Sequence, residues 1–202
     1  GLNVPIMPFA IAGKINEWFL NMVRANVREP VQVEGDLYAL AACNETGAKR
    51  LFTMMEEYDL DTLDDLGTFI IGQSRAAITA AINGMPQGSW SHAMRIDGLE
   101  APIDLVARLS ISNGNIHVDF DGTSSTSDYG INCPMCYTEA YTAFGVKCVV
   151  APDIPNNAGT LDAITVSAPD NTIVNAPHPC AVVARSTIGH MLPDVVFGCL
   201  HQ

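Results

Sequence analysis

The sequence predicts an α+β fold: long helices in the first half, then antiparallel strands and a hairpin with interspersed helices. Three observations carry this reading. Apolar residues recur at helical spacing up to residue 86, and a period-two alternation replaces it from residue 87 onward. Between two such alternating runs stands Asn113-Gly114, a dipeptide suited to the positive backbone angles of a two-residue hairpin turn. Helices first and sheet afterwards is the α+β order. The chain is read as one domain piece over 1–202, helical over 1–86 and mixed strand and helix over 87–202.

Taken in order, residues 13–24 form a short amphipathic helix presenting Ile15, Trp18, Phe19 and Met22. Residues 26–34 form a loop broken by Pro30. Asp36 is placed to cap a long helix with a buried stripe of Leu37, Leu40, Ala41, Ala48, Leu51, Phe52 and Met55. Thr62, with Asp65 in the first turn, opens a second long helix carrying Leu63, Leu66, Ile70, Ala77 and Ala81. Asn83-Gly84-Met85-Pro86 ends it. A strand follows at 89–97. Ile103, Leu105, Ala107, Leu109 and Ile111 then alternate with Asp104, Arg108, Ser110 and Ser112, a half-buried strand. The return strand buries Ile116, Val118 and Phe120, so His117, Asp119 and Asp121 fall on its other face. A helix at 137–150, a strand at 162–168 and a helix at 186–200, interrupted or started near Pro193, complete the chain.

Composition narrows the function classes. Of the 202 residues, 48% are hydrophobic and 16% charged, a soluble composition with apolar surface to spare for another polypeptide. The net charge of −12, with no cluster of Lys or Arg, argues against a phosphate-backbone partner. No apolar run reaches the length of a membrane span, and the start carries no signal-peptide pattern, so a cytoplasmic protein with no membrane partner is expected. With no initiator Met and no Gly or Asn after the last helix, the chain is read as a fragment. The six cysteines sit mostly in apolar segments, as buried cysteines do. Cys133-Pro134-Met135-Cys136 lacks a second pair, so it is read as packing at a helix start.

Function is sought at residues 118–132, where a strand enters the small polar loop Gly122-Thr123-Ser124-Ser125. His117, Asp119 and Asp121 at i, i+2 and i+4 could share a divalent ion, but a solvated hairpin face is the commoner outcome of that pattern. No metal is therefore assigned to this chain, and the trio stays as the alternative. Asp119 and Thr123 either hold the loop by side-chain to backbone bonds or meet a polar substrate. Ser124, Ser125 and Ser127 lack a nucleophile elbow. His178 lies between two prolines and His190 on a helix, so neither is assigned as a base. Neither a phosphate loop nor a dinucleotide fingerprint is present.

Five blocks in order carry a family resemblance: NVREP (26–30), GDLYALAACNETGAKRL (35–51), DFDGTSS followed by GIN (119–132), IPNNAG (154–159) and NAPHPCAVVAR (175–185). Together they resemble the hydantoinase B/oxoprolinase family over residues 24–202. The resemblance implies part of the B-type subunit of an enzyme that opens a cyclic amide, a hydantoin or 5-oxoproline, at the expense of ATP. It further implies an A-type partner subunit or domain that binds the ATP and phosphorylates the amide oxygen. A divalent metal would be held by Asp and His residues in an earlier part of the B-type chain. With no His before His92, this piece would bind no cofactor itself and would form walls of the site. A related branch carboxylates ketones such as acetone and acetophenone, and a non-catalytic assembly region is the third reading. By motif match, Asn26, Arg28, Asp36, Asp119, Thr123, Asn132, Asn157 and Arg185 face functional loops. Each has a local alternative: Asn26, Asn132 and Asn157 as turn formers, Asp36 as helix cap, Arg28 and Arg185 as carboxylate partners. Catalytic residues are left unassigned.

Overall fold

Two short strands, β1 (Ala10–Ile11) and β2 (Lys14–Ile15), pair antiparallel before the first helix, α1 (Glu17–Asn26). The computed structural model describes Leu2 and residues 4–202, which divide into two compact units at Leu63/Asp64. That division precedes residue 86, where helix gives way to strand. In the first unit, Ala12 and Gly13 take positive φ, 48° and 75°. The turn they make delays α1 to Glu17, later than the expected start at residue 13. Asn16 caps it, its side chain accepting from the Phe19 amide at 3.3 Å. Phe19, Leu20 and Val23 form the buried face, while Trp18, expected on that face, is exposed.

The next helix, α2 (Pro30–Glu57), corrects two expectations. Pro30 sits in its first turn, where a missing N–H goes unnoticed, so proline starts the helix instead of breaking a loop. Asp36 is consequently inside the helix and exposed, and cannot cap it; the N-cap is Glu29, without a side-chain cap bond. Among the described residues none of α2 is buried, and Leu40, Leu51 and Phe52 of the expected stripe are exposed. Helical periodicity reports an apolar face, not a cover for it. Arg24 of α1 grips Glu34 of α2 through two N–H···O bonds of 2.7 and 2.5 Å. The guanidinium holds the Glu34 carboxyl below the usual carboxylate range.

The second unit opens with α3 (Asp64–Asn83), ending at the expected Asn83. Its buried face is Ser74, Ile78 and Ile82, one residue beyond the Ala77 and Ala81 stripe. Four strands follow in the order β3 (Gly88–Ile96), β4 (Ile103–Ser112), β5 (Asn115–Asp119) and β6 (Ile164–Ser167). The β4–β5 turn has φ of 50° at Asn113 and 70° at Gly114, the hairpin geometry anticipated from the dipeptide. Ile103, Leu105, Ala107, Leu109, Ile111, Ile116, Val118 and Phe120 are all buried, as the alternation requires.

One pairing differs from the expected antiparallel sheet: β6 runs parallel to β5. The chain leaves β5, passes through α4 (Met135–Val150) and the short α5 (Ala158–Leu161), and re-enters in the same direction. A helical crossover of this kind is what parallel neighbours need. The final helical stretch is two pieces, α6 (Ser186–Gly189) and α7 (Leu192–Leu200), with Pro193 in the first turn of α7. Helix α7 packs on β3 and β4, and α4 on β6, closing a core with Val146, Ile188, Leu192, Val195 and Val196. Only Cys133 and Cys199 are buried; Cys43, Cys136 and Cys148 are exposed and Cys180 half-buried, contrary to the expectation from their apolar neighbours. Among the described residues no helix is long and apolar enough to cross a membrane.

Candidate functional site

The loop that leaves β5 is fastened at almost every residue. Thr123 is buried, and its hydroxyl accepts from the Val106 amide at 3.0 Å and donates to the Val106 carbonyl at 3.1 Å. Ser124 grips Asp104 in the same way, its Oγ accepting from the Asp104 amide and its own amide donating to the Asp104 carbonyl, both 2.9 Å. Asn132 is wholly buried. Its Oδ1 accepts from the Ser127 amide at 2.8 Å, and its Nδ2 donates to the carbonyls of Ser127, Tyr129 and Ala181 at 2.8, 2.9 and 3.0 Å. The Cys133 and Ala176 amides reach the Ile173 and Cys133 carbonyls, and the Ala184 amide reaches Gly130. The third and fifth sequence blocks are thus two halves of one stitched surface.

The fourth block is a latch. Asn157 caps α5, accepting from the Thr160 amide at 3.3 Å, and donates at 2.8 Å to the buried Ser74 hydroxyl of α3. A Cβ on Gly159 would stand 2.1 Å from the Ile71 carbonyl oxygen, so only glycine lets α5 approach α3. Lys147 is buried beside this turn, donating to the Ile154 carbonyl and, at 2.5 Å, to Asn156 Oδ1. Burial pushes its pKa down. Of the remaining motif residues, Asn26 closes α1 by donating to the Met22 carbonyl at 2.7 Å, and Arg28 and Asp36 are exposed. These three lie in the first unit and the other five in the second.

The open face of the sheet gathers polar residues that the sequence does not bring together. Register places Ser89, Ser110, His117 and Thr165 in one row and Ser91, Arg108, Asp119 and Ser167 in the next. His117 Nδ1 lies 2.8 Å from Thr165 Oγ1, its Nε2 3.1 Å from Ser167 Oγ, and Ser167 donates to Asp119 Oδ1 at 2.9 Å. An ionised carboxylate only accepts, so the single Ser167 proton goes to Asp119 and His117 Nε2–H must donate to Ser167. The metal alternative for His117, Asp119 and Asp121 fits poorly, because both ring nitrogens and Asp119 Oδ1 are engaged by hydroxyls. Among the described residues no group of three or more His, Cys, Asp or Glu stands ready to hold an ion. A groove of about 590 Å³ runs beside β6, with Cys136, Glu139, Asp162 and Thr165 on its walls.

Arg185 is exposed, and among the described residues no carboxylate lies within ion-pair reach of it. The carboxylate partner considered for it is replaced by an aromatic ring. Its guanidinium stands 5.2 Å from the Tyr137 ring centre, within cation–π range. Tyr137 stacks on Tyr141 at 4.6 Å and 26°, and Tyr141 meets His190 at 5.4 Å. Nothing singled out the two tyrosines in the sequence, though their i, i+4 spacing on α4 would have shown that they share a face. Underneath, Cys133 donates its thiol to the Arg185 carbonyl at 3.2 Å. Burial pushes the pKa of that thiol up to about 12, opposed by the Arg185 charge and by a backbone bond from Gly189. Such a thiol is inert, which supports packing as the role of Cys133.

Solved structures share this architecture. The ATP-dependent caprolactamase from Pseudomonas jessenii superposes with a TM-score of 0.89 at 23% identity, over 100% of this chain and 36% of that one. A nucleotide-free acetone carboxylase superposes at 0.76 with 14% identity, over 97% and 28%. At these identities the likeness establishes the fold. The chain belongs to the hydantoinase B/oxoprolinase family, whose model matches residues 1–202. An uncharacterized protein of Methanocaldococcus jannaschii is 31% identical over 100% of this chain and 36% of its own length. A Pseudomonas protein provisionally named as the B component of a D-/L-hydantoinase is 25% identical over 94% and 34%. The chain therefore spans about a third of the length of these relatives.

Proposed function

We propose that this chain is part of the B-type subunit of an ATP-dependent cyclic amide hydrolase, opening a hydantoin, 5-oxoproline or similar lactam together with an A-type ATP-binding partner. The carrying observation is the family match over residues 1–202. The fold shared with a caprolactamase, whose name states an ATP-dependent lactam reaction, supports it. An unstrained lactam is a poor electrophile, and ATP supplies the activation of its amide oxygen. A divalent metal is implied for the complete enzyme as well. The residues here fit neither group. No phosphate loop is present in the sequence, and the His117 cluster is closed by its own hydrogen bonds. Both are assigned to other parts of the complete, cytoplasmic enzyme, and this chain contributes the rigid wall on which a small-molecule substrate rests. In that wall Arg185 is the residue suited to orient a carboxylate or a phosphoryl group, because its planar fork is exposed and pairs with no carboxylate among the described residues.

A second reading, the B-like subunit of a ketone carboxylase, draws on the fold shared with acetone carboxylase. A third, a non-catalytic assembly region, draws on the exposed apolar residues of α2. Expression of the full-length protein with its A-type neighbour separates all three. ATP-coupled opening of a lactam is the expected result. Turnover of a ketone with bicarbonate, and of no lactam, replaces the first reading by the second. Neither activity in a well-formed complex points to assembly.

A further inference from the structure

We infer that Arg185, Tyr137 and Tyr141 form a binding site for a small oxyanion, a carboxylate or a phosphate group. The site stands whichever reaction the complete protein runs. Its basis is a surplus of donors held in fixed positions. A guanidinium carries five N–H donors, and one contact, Nη1 to the Val182 carbonyl at 3.2 Å, is all that the fold asks of this one among the described residues. The Tyr137 and Tyr141 hydroxyls meet each other, and among the described residues neither has another hydrogen-bond partner. The Tyr141 hydroxyl raises the Tyr137 pKa by accepting its proton, so the hydroxyl left with a proton to donate outward is that of Tyr141. Among the described residues no acceptor answers the remaining donors, although the chain carries a net charge of −12.

The donors are also held still. The Tyr137 ring lies against the backbone of Gly189, where a Cβ would come within 2.2 Å of Tyr137 Cε1. The Arg185 carbonyl accepts from the Gly189 amide at 2.9 Å and from the Cys133 thiol at 3.2 Å, and the preceding Ala184 amide is fixed to Gly130 at 2.7 Å. The guanidinium rests on Tyr137, Tyr137 on Tyr141, and Tyr141 on His190. A guanidinium over one ring of a stacked tyrosine pair has less freedom to lose when an anion arrives, and that pre-organisation favours binding. Planar, paired N–H donors beside a phenol match the geometry of carboxylate and phosphate oxygens.

The test is a titration of the 202-residue chain, labelled with heavy nitrogen, with inorganic phosphate and separately with acetate, following the arginine side-chain Nε–Hε signals. The Arg185 signal is expected to move and saturate, with a Kd on the order of 1–10 mM for an exposed site, while that of exposed Arg50 stays in place. Saturation by phosphate at lower concentration assigns a phosphoryl group, and by acetate a carboxylate; either fits the site. Read from the backbone amide signal of Gly189, which bonds the residue 185 carbonyl, Arg185→Lys should weaken binding about tenfold by removing the fork, and Tyr141→Phe by a smaller factor, both with an unchanged melting temperature. An Arg185 signal that does not move with either anion, or that drifts only in parallel with Arg50, overturns the inference. Equal affinity in a folded Arg185→Lys variant also overturns it.

Discussion

Asn132 and Arg185 belong to the same stitched surface and differ in what their polar atoms do. Around Asn132 the side chain is wholly buried and bonds Ser127, Tyr129 and Ala181. Around Arg185 the head is exposed, touches one carbonyl and one ring, and presents the rest of its donors outward. Both residues come from sequence blocks that mark the family. The difference teaches that a family motif mixes residues that build a loop with residues the loop presents. The two kinds are told apart by whether their hydrogen-bonding capacity is exhausted inside the fold. Thr123 and Asn157 fall with Asn132. The His117–Ser167–Asp119 chain lies between, internally bonded yet on an open face.

This contrast can be broken most sharply at Asn132 itself. Asn132→Ala would leave the Ser127 amide and three carbonyls without their partner, at about 1–3 kcal/mol for each buried group that finds no replacement. A large drop in the denaturant midpoint is expected, and a midpoint within error of the parent would mean that the network is dispensable. Gly159→Ala comes next. A methyl 2.1 Å from the Ile71 carbonyl oxygen must push α5 off α3, costing about 1–3 kcal/mol as overpacking; calorimetry reads this as a lower melting temperature. Thr123→Val removes one hydroxyl from two bonds to Val106, a loss of about 1–3 kcal/mol, readable in the same scan.

A fourth effect depends on pH. The Cys133 thiol titrates near its ordinary 9.0 in the unfolded chain but only at about 12 when folded. Between those values the unfolded chain releases the proton first, so stability falls as pH rises from 9.0 toward 12. Urea midpoints across that range should fall less steeply for Cys133→Ala than for the parent, and equal slopes would contradict the burial argument. The smallest effect belongs to the uncovered helix. Phe52 is 64% exposed, so Phe52→Ser should shift stability by no more than about 0.5 kcal/mol. A larger loss would show that α2 is more tightly packed than its exposure indicates.

The sheet was legible in the sequence because one face of β4 and β5 is buried, and period-two alternation then reports both strand and orientation. The Asn113-Gly114 turn was legible because few other dipeptides accept two positive φ angles in succession. Helix faces were less so. In α3 the buried stripe fell one residue away from the expected one, since adjacent apolar residues such as Ile70 and Ile71 leave the face undetermined. In α2, Pro30 resembles a break and Asp36 a cap, yet both roles depend on where the backbone turns helical, and it does so at Pro30, well before Asp36. Asp119, Thr123, Asn132, Asn157 and Arg185 were singled out by motif, and the hydrogen bonding of Thr123, Asn132 and Asn157 follows from residue type. Thr165 and Ser167 were missed because the partners they bond, His117 and Asp119, each lie 48 residues away. Tyr137 was missed because the group it meets, Arg185, arrives from beyond β6. No local pattern encodes a parallel register or an arginine lying over a ring.

The central claim is that Arg185 faces a ligand whereas its neighbours build the loop. It is tested most directly by Arg185→Lys in the full-length protein co-expressed with the proposed A-type partner, comparing turnover per folded molecule with melting temperature. Lys keeps the charge and loses the paired donors. The account predicts a clear fall in turnover with the melting temperature and the complex unchanged. A lowered melting temperature with undiminished turnover per folded molecule would contradict it and return Arg185 to the scaffold.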